Sequence, residues 1–393
     1  MTPLRWLVVF LTWWAWGALA QPDAPLRRIE VTDTNNFRLD QAAKTMALPD
    51  TLDAAEYVRL REYLAPRVRL GEEELDAIQQ LADWVSRRWQ HDAHGVAPLQ
   101  FSAVDILQAA ERGQRYSCTE YSKVLRDSLV ALGFIARVVT LQSTDIEYGP
   151  PGTAHVLVEV WSNQLQKWIM VDPQWGLYPR DGTRWLDVLE LYRLKKAGKL
   201  GRVAMVPVAS VQRRPSEAQL RALGEEYRAF VSGYLGYLSV PLRADRERIH
   251  LLFPLDGQRW PLTFHGLPRS AQVFTTDPND IYFEPNRVSL VLTYRAHAQP
   301  VGLLGELEIE SEQDYIAKLP KFAAVPDFDI SMHHNMPWFA AYELAIDDAP
   351  WSRLGGESAH WQLHEGINLL RVRAVNAAGW RGPETFIEIR YGR

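Results

Sequence analysis

His155-Val156-Leu157-Val158-Glu159-Val160-Trp161 and, beyond a six-residue connection from Ser162 to Lys167, Trp168-Ile169-Met170-Val171-Asp172 read as the two strands of a hairpin. Both runs are rich in branched and aromatic residues, and polar residues break them where the chain must turn. If Trp161 faces Trp168, then Leu157 faces Asp172, and His155 lies diagonal to Asp172 on the same side of the ladder. Diagonal neighbours stand about 7 to 8 Å apart at Cα, within reach of an imidazole and a carboxylate, so this register predicts a His155–Asp172 hydrogen bond. A slip of one residue would send Asp172 to the opposite face. The alternate positions Val156, Val158, Val160, Ile169 and Val171 are all apolar, should press on a core, and so resist that slip.

Working outward, the chain's one cysteine, Cys118, stands in Tyr116-Ser117-Cys118-Thr119-Glu120-Tyr121-Ser122 at the mouth of a predicted helix. Ser117 can cap that helix, with Glu120 closing a reciprocal bond, and Tyr121, Val124, Leu125, Leu129 and Leu132 form its buried stripe. Gly133 ends it at the position where a left-handed turn is easiest. A strand over 134–141 and a Pro/Gly loop over 148–153 then lead to His155. Unpaired N–H groups and the positive end of the dipole at a helix start favour a thiolate, the nucleophile that acyl transfer needs. Thiol, imidazole and carboxylate thus occur in the order Cys118, His155, Asp172. Further helices are predicted over 54–63, over 73–90, and over 102–110, where Ser102 and Asp105 form a capping box.

The first twenty residues carry Arg5, an apolar run from Trp6 to Trp16, and Ala18-Leu19-Ala20, the pattern of a cleaved signal peptide. The run is shorter than the roughly 18 to 20 residues a membrane span requires. This predicts export to a periplasmic or extracellular setting. No cysteine follows to take a lipid. A single cysteine also precludes an internal disulfide. The formal charge of −5 leaves no basic excess, which argues against a nucleic-acid partner. No cofactor or metal is expected. His91-x-x-His94, His333-His334 and Asp277-x-Asn279-Asp280 lack companions at ligand spacing and read as loop or turn residues.

The chain divides into a signal peptide over 1–20, an N-terminal arm on the first domain over 21–70, a catalytic α+β domain over 71–212, a helical linker over 213–245, and a β-sandwich over 246–393. Arg213-Arg214-Pro215-Ser216 marks a boundary. Leu220, Leu223, Tyr227, Phe230, Val231 and Tyr234 make an amphipathic connecting helix over 216–235. From Ile249 onward the period becomes two, as at Val288, Leu290 and Leu292 and at Leu370, Val372 and Ala374.

Four blocks of residues 75–175 resemble the transglutaminase-like superfamily, which shares a papain-like core with its nucleophile at a helix N-terminus and an antiparallel sheet. They are the helix with Trp84 followed by Cys118-Thr119-Glu120-Tyr121-Ser122, then Leu132-Gly133-Phe134-Ile135-Ala136-Arg137-Val138-Val139, and the two strands quoted first. The resemblance implies that Cys118, His155 and Asp172 act as nucleophile, base and orienting acid. It implies a protein or peptide substrate and an exported peptidase or amidase; a cross-linking transglutaminase and a non-catalytic envelope-binding protein are the alternatives. Tyr116 departs from the pattern, since the family usually has Gly there, and its ring either narrows the substrate channel or packs. The backbone N–H of Cys118 is one candidate oxyanion donor, with Gln114 or Trp89 as a second. Residues 366–383 resemble the last hairpin of immunoglobulin-like or fibronectin-like sandwiches, which implies a scaffold or binding module.

Overall fold

A computed structural model describes residues 28–36, 44, 46–149, 153–208, 216–244, 247–265, 267–268, 272–295, 308–322 and 326–392. The signal-peptide segment lies outside the described residues. The chain opens with β1 (Arg28–Thr34) and runs through α1 (Ala55–Leu64), α2 (Glu74–Ser86), α3 (Ala103–Glu111) and α4 (Cys118–Ala131). Then come β2 (Ala136–Gln142), β3 (Ala154–Ser162), β4 (Lys167–Val171), β5 (Leu177–Asp181), β6 (Arg184–Trp185), α5 (Val188–Lys196), β7 (Ala204–Pro207) and α6 (Glu217–Ser232). The remainder comprises β8 (Tyr237–Ala244), β9 (Glu247–Pro254), β10 (Thr263–Phe264), β11 (Leu267–Pro268), β12 (Gln272–Phe274), β13 (Val288–Tyr294), α7 (Glu312–Phe322), β14 (Asp327–His334), β15 (Phe339–Ile346), β16 (Ser352–Leu354), β17 (Ser358–Gln362), β18 (Gly366–Asn376) and β19 (Thr385–Gly392).

The central sheet has the order β12-β9-β8-β2-β3-β4 and is antiparallel except for the β12–β9 pair. The β3–β4 register is the one the hairpin sequence predicts, with Trp161 opposite Trp168 and Val158 opposite Val171. Alternation splits these strands between two cores. Val158, Val160, Ile169 and Val171 pack with Ile78, Leu81, Val85, Leu107, Leu125 and Leu129 of α2–α4. On the other face Val139, Leu141, Leu157 and Met170 meet Tyr227 and Val231 of α6 and Leu238 and Val240 of β8. The loop after β3 is held by Glu74, whose buried carboxylate accepts from Ser162 Oγ (2.8 Å), Asn163 N (2.8 Å), Asn163 Nδ2 (3.2 Å) and Gln164 N (2.8 Å).

The C-terminal strands form a second unit, a sandwich of the sheets β1-β19-β18-β15-β16 and β13-β14-β17. Its core runs through Leu290, Ile330 and Trp361 on one side and Tyr342, Leu370, Val372, Ile387 and Ile389 on the other.

Three boundaries differ from the sequence reading. The N-terminal arm does not simply serve the first domain, because β1 pairs antiparallel with β19 and covers an edge of the sandwich that would otherwise be unpaired. The sandwich does not begin at 246. Strands β8, β9 and β12 extend the first sheet, with Thr140 opposite Ser239 and Leu141 opposite Leu238, where β2 would otherwise present a bare edge. Finally, α6 is not a free linker, since Tyr227 and Val231 are buried against the sheet.

The two units meet at the C-terminus of α4. Gly133 has φ +84° and ends the helix, as its sequence position predicts, and a Cβ there would fall 2.1 Å from that of Ala378. Its carbonyl accepts from Asn376 Nδ2 (3.1 Å), and Leu132 O accepts from Trp380 Nε1 (3.1 Å). Inside the first unit a buried ion pair, Arg137 Nη2 to Glu159 Oε2 at 2.7 Å, lies with its guanidinium over the Trp168 ring. Arg137 Nη1 reaches on to Ile281 O at 2.5 Å, which fastens the chain leading into the sandwich.

Candidate active site

Cys118 is the first residue of α4 and is partly exposed. Ser117 caps the helix through Thr119 N, but the reciprocal capping box does not form. Ser117 N instead donates to Gly95 O (2.9 Å), and Glu120 takes Ser117 Oγ (2.8 Å) on one oxygen and Ala97 N (2.9 Å) on the other. The buried Glu120 thus staples the 95–97 loop to the helix start. Gly95 is required by proximity, since a Cβ there would lie 2.2 Å from Arg115 O.

Tyr116 packs rather than narrowing a channel. Its ring is buried edge-on to Trp89 at 5.6 Å, and its carbonyl accepts from Trp89 Nε1 (3.2 Å) and Asp92 N (3.1 Å). The Trp89 indole is therefore engaged in holding Tyr116, and Gln114 is exposed. Neither is a natural second oxyanion donor. Ser122, one turn into α4 and fully buried, donates to Val156 O at 2.9 Å, tying the helix to the strand position beside His155.

His155 is 2 % exposed and its Nε2 lies 2.6 Å from Asp172 Oδ2. With Nε2 engaged, Nδ1 is the nitrogen left for Cys118. Burial is the largest influence on His155 and pulls its pKa down; the charge and hydrogen bond of Asp172, then the hydrogen bond and charge of Cys118, outweigh it and raise the value to about 9. Asp172 is fully buried and surrounded by donors. Besides His155 it accepts from Tyr227 OH (2.8 Å), Gln174 N (3.0 Å) and Trp175 N (3.2 Å). Burial first, then the charge of Asp172, holds the Tyr227 hydroxyl far above its ordinary pKa, so it stays a donor.

The structure therefore brings Cys118, His155 and Asp172 together. It also adds residues that the sequence did not single out for the site. Tyr227, Phe230 and Tyr234 come from α6 and the residues just after it, with Phe230 edge-on to the His155 ring at 4.9 Å and Tyr234 at 5.8 Å. Trp175 stands against Tyr227 (5.4 Å) and Phe230 (5.1 Å). In sequence these were an apolar helical stripe and a tryptophan three residues past Asp172; the stripe marks a buried face but not what it faces.

The remaining polar candidates have other roles. His91 lies near His155 and Asp172, where burial first and then the charge of His155 lower its pKa against the pull of Asp92 and Asp172. His334 stacks on Phe339 at 3.9 Å and accepts from Met336 N. Asp277 caps a short turn, and Asp280 pairs with Lys44 at 3.2 Å. Among the described residues no group of three or more His, Cys, Asp or Glu side chains could hold a metal. No helix among them is long and apolar enough to cross a membrane.

A cysteine at a helix start, an imidazole on the adjoining strand and an acid at the next strand's end coincide with one family match: the transglutaminase-like superfamily core, over residues 62–173. The chain carries a transglutaminase-like domain. The match runs from the end of α1 to just past β4 and so contains Cys118, His155 and Asp172. No curated protein matches the chain. Among solved structures, the chain is similar to a candidate cysteine protease from Cytophaga hutchinsonii, with 17% identity and a TM-score of 0.25 over 38% of this chain and 49% of that one. The chain thus spans about half the length of that protein. A Rad4-Rad23 complex bound to a 6-4 photoproduct lesion gives 16% identity and a TM-score of 0.17 over 31% of this chain and 32% of that one. Red sea bream transglutaminase gives 10% identity and a TM-score of 0.22 over 85% of this chain and 72% of that one.

Proposed function

We propose that this protein is an exported thiol enzyme that attacks amide bonds through an acyl-enzyme, acting as a peptidase or amidase on protein or peptide substrates. The observation that carries this reading is the buried His155 bridging two partners, Asp172 at 2.6 Å and the partly exposed Cys118.

The chemistry follows from the arrangement. Cys118 Sγ, as thiolate beside the His155 imidazolium, attacks the substrate carbonyl carbon; the C–S bond forms and the carbonyl π pair moves to oxygen. As the tetrahedral species collapses, His155 Nδ1–H protonates the departing amine and the C–N bond breaks. Water then attacks the thioester carbon while His155 takes its proton, and the C–S bond breaks, returning the electron pair to Cys118 Sγ and releasing the carboxylic acid. Asp172 holds Nε2–H and thus fixes the tautomer throughout. The N–H groups of the first α4 turn face the developing oxyanion.

Hydrolysis and cross-linking share the acyl-enzyme and differ in whether water or an amine attacks it. The test is to incubate the purified protein with casein and a fluorescent primary amine. Fragments without label support the peptidase, label in intact casein the cross-linking enzyme. If casein is unchanged and His155→Ala does not slow iodoacetamide labelling of Cys118 near pH 6, the enzymatic reading fails and a non-catalytic envelope-binding protein remains.

A further inference from the structure

Tyr227, Phe230 and Tyr234 are spaced at i, i+3 and i+7 and share one face of α6 and its C-terminal continuation. That face runs alongside the triad in order. Tyr227 bonds the acid at 2.8 Å, Phe230 lies against the imidazole at 4.9 Å, and Tyr234, one step farther, stands 5.8 Å from the imidazole. Tyr234 is thus the residue of this face beside the imidazole whose hydroxyl also feels the charge of Cys118.

Its hydroxyl differs from that of Tyr227. Tyr227 is fully buried and its hydroxyl is committed to Asp172, whereas Tyr234 is partly exposed and its hydroxyl has no hydrogen-bond partner among the described residues. Burial first and then the charge of Cys118 raise the Tyr234 pKa, so the hydroxyl keeps its proton and lies within the field of the sulfur. Trp89 Nε1, a further side-chain donor near the helix start, is already spent on Tyr116 O.

We propose that the Tyr234 hydroxyl is the side-chain donor to the oxyanion, opposite the backbone N–H of Cys118. The inference rests on the thiol-enzyme reading above. When sulfur adds to the carbonyl carbon and the π pair moves to oxygen, Tyr234 O–H donates to that oxygen without transferring its proton; the bond is lost when the oxyanion collapses and the leaving group departs. Because no described protein group holds the hydroxyl, no protein hydrogen bond has to break for it to turn toward that oxygen, and its donation strengthens as the negative charge develops.

The test compares two reagents on the full chain with and without Tyr234→Phe. p-Nitrophenyl acetate acylates Cys118 through an oxyanion, while iodoacetamide alkylates it by displacing iodide and builds none. The expected result is acylation at saturating ester slowed by about 100-fold, KM changed little, and alkylation within about twofold of wild type. Unchanged acylation overturns the proposal, and so does an equal slowing of both reactions, which would make Tyr234 a residue that acts through the thiol–imidazole pair. A wild-type protein with no Cys118-dependent burst of p-nitrophenolate overturns this inference together with the thiol-enzyme reading. A normal burst that survives Tyr234→Phe overturns this inference alone.

Discussion

The Ser122 hydroxyl, fully buried, donates to the Val156 carbonyl at 2.9 Å, and this bond links the helix that starts with Cys118 to the strand that carries His155. Val156 lies just past the end of the β3–β4 pairing, where β4 stops at Val171 and its carbonyl needs another donor. Ser122→Ala removes that donor and leaves a carbonyl unsatisfied at a buried joint, a loss of about 1 to 3 kcal/mol. Urea unfolding should show a lowered midpoint, and iodoacetamide labelling of Cys118 near pH 6 should slow, because the thiol and imidazole are no longer held in register.

The raised pKa of His155 sets a pH window. With a folded value of about 9 against an ordinary 6.5, its charged interactions with Asp172 and Cys118 contribute fully below about 6.5 and are lost as pH rises through about 9. The stability advantage of wild type over His155→Gln should therefore be largest near pH 6 and shrink steadily to pH 9.5, as read by thermal melts. On the thiol-enzyme reading, cleavage of an amide substrate should likewise decline with an alkaline midpoint near 9, as the imidazolium proposed to protonate the leaving amine disappears.

Asp187, the N-cap of α5, has its pKa raised, first by burial and then by the charges of Glu159 and Glu190. A carboxyl raised in the fold is destabilising once pH exceeds its unfolded range, since the folded chain then gives up a proton it prefers to hold. Asp187→Asn keeps a good cap and removes the charge. Its melting temperature relative to wild type should rise on going from pH 5 to pH 8; a relative fall would show that the ionised form is the favoured cap.

Glu74 fixes the hairpin loop through four hydrogen bonds from Ser162, Asn163 and Gln164. Glu74→Ala should cost about 2 to 4 kcal/mol, from orphaned donors at a partly buried turn. Hydrogen exchange should quicken at Asn163 and Gln164 first. Because that turn fixes the pairing that aligns His155 with Asp172, ester turnover should fall more than the loss of stability alone would produce.

At the junction of the two units, Gly133→Ala meets both a left-handed backbone and the Ala378 methyl group. The sandwich should separate more readily from the first unit, visible as faster proteolysis between them, with α4 shortened at its C-terminal end and the Cys118, His155 and Asp172 cluster at the other end retained.

The local parts of this molecule were written in the chain. Strand period and the apolar face of Val158, Val160, Ile169 and Val171 determined the β3–β4 register, and with it the pairing of His155 and Asp172, because a shift by one residue would expose that whole face. Gly133 likewise announced the end of α4. Partners distant in sequence were not legible. That Arg28–Thr34 would close the sandwich edge against β19, that β8 and β9 would extend the first sheet, and that Tyr227, Phe230 and Tyr234 would line the triad depended on which apolar surfaces and open edges remained after local folding. An amphipathic pattern states that a face is buried. Only the tertiary structure, by matching that face to a surface of complementary shape and hydrogen-bonding need, decided that α6 is a wall of the site and not a linker.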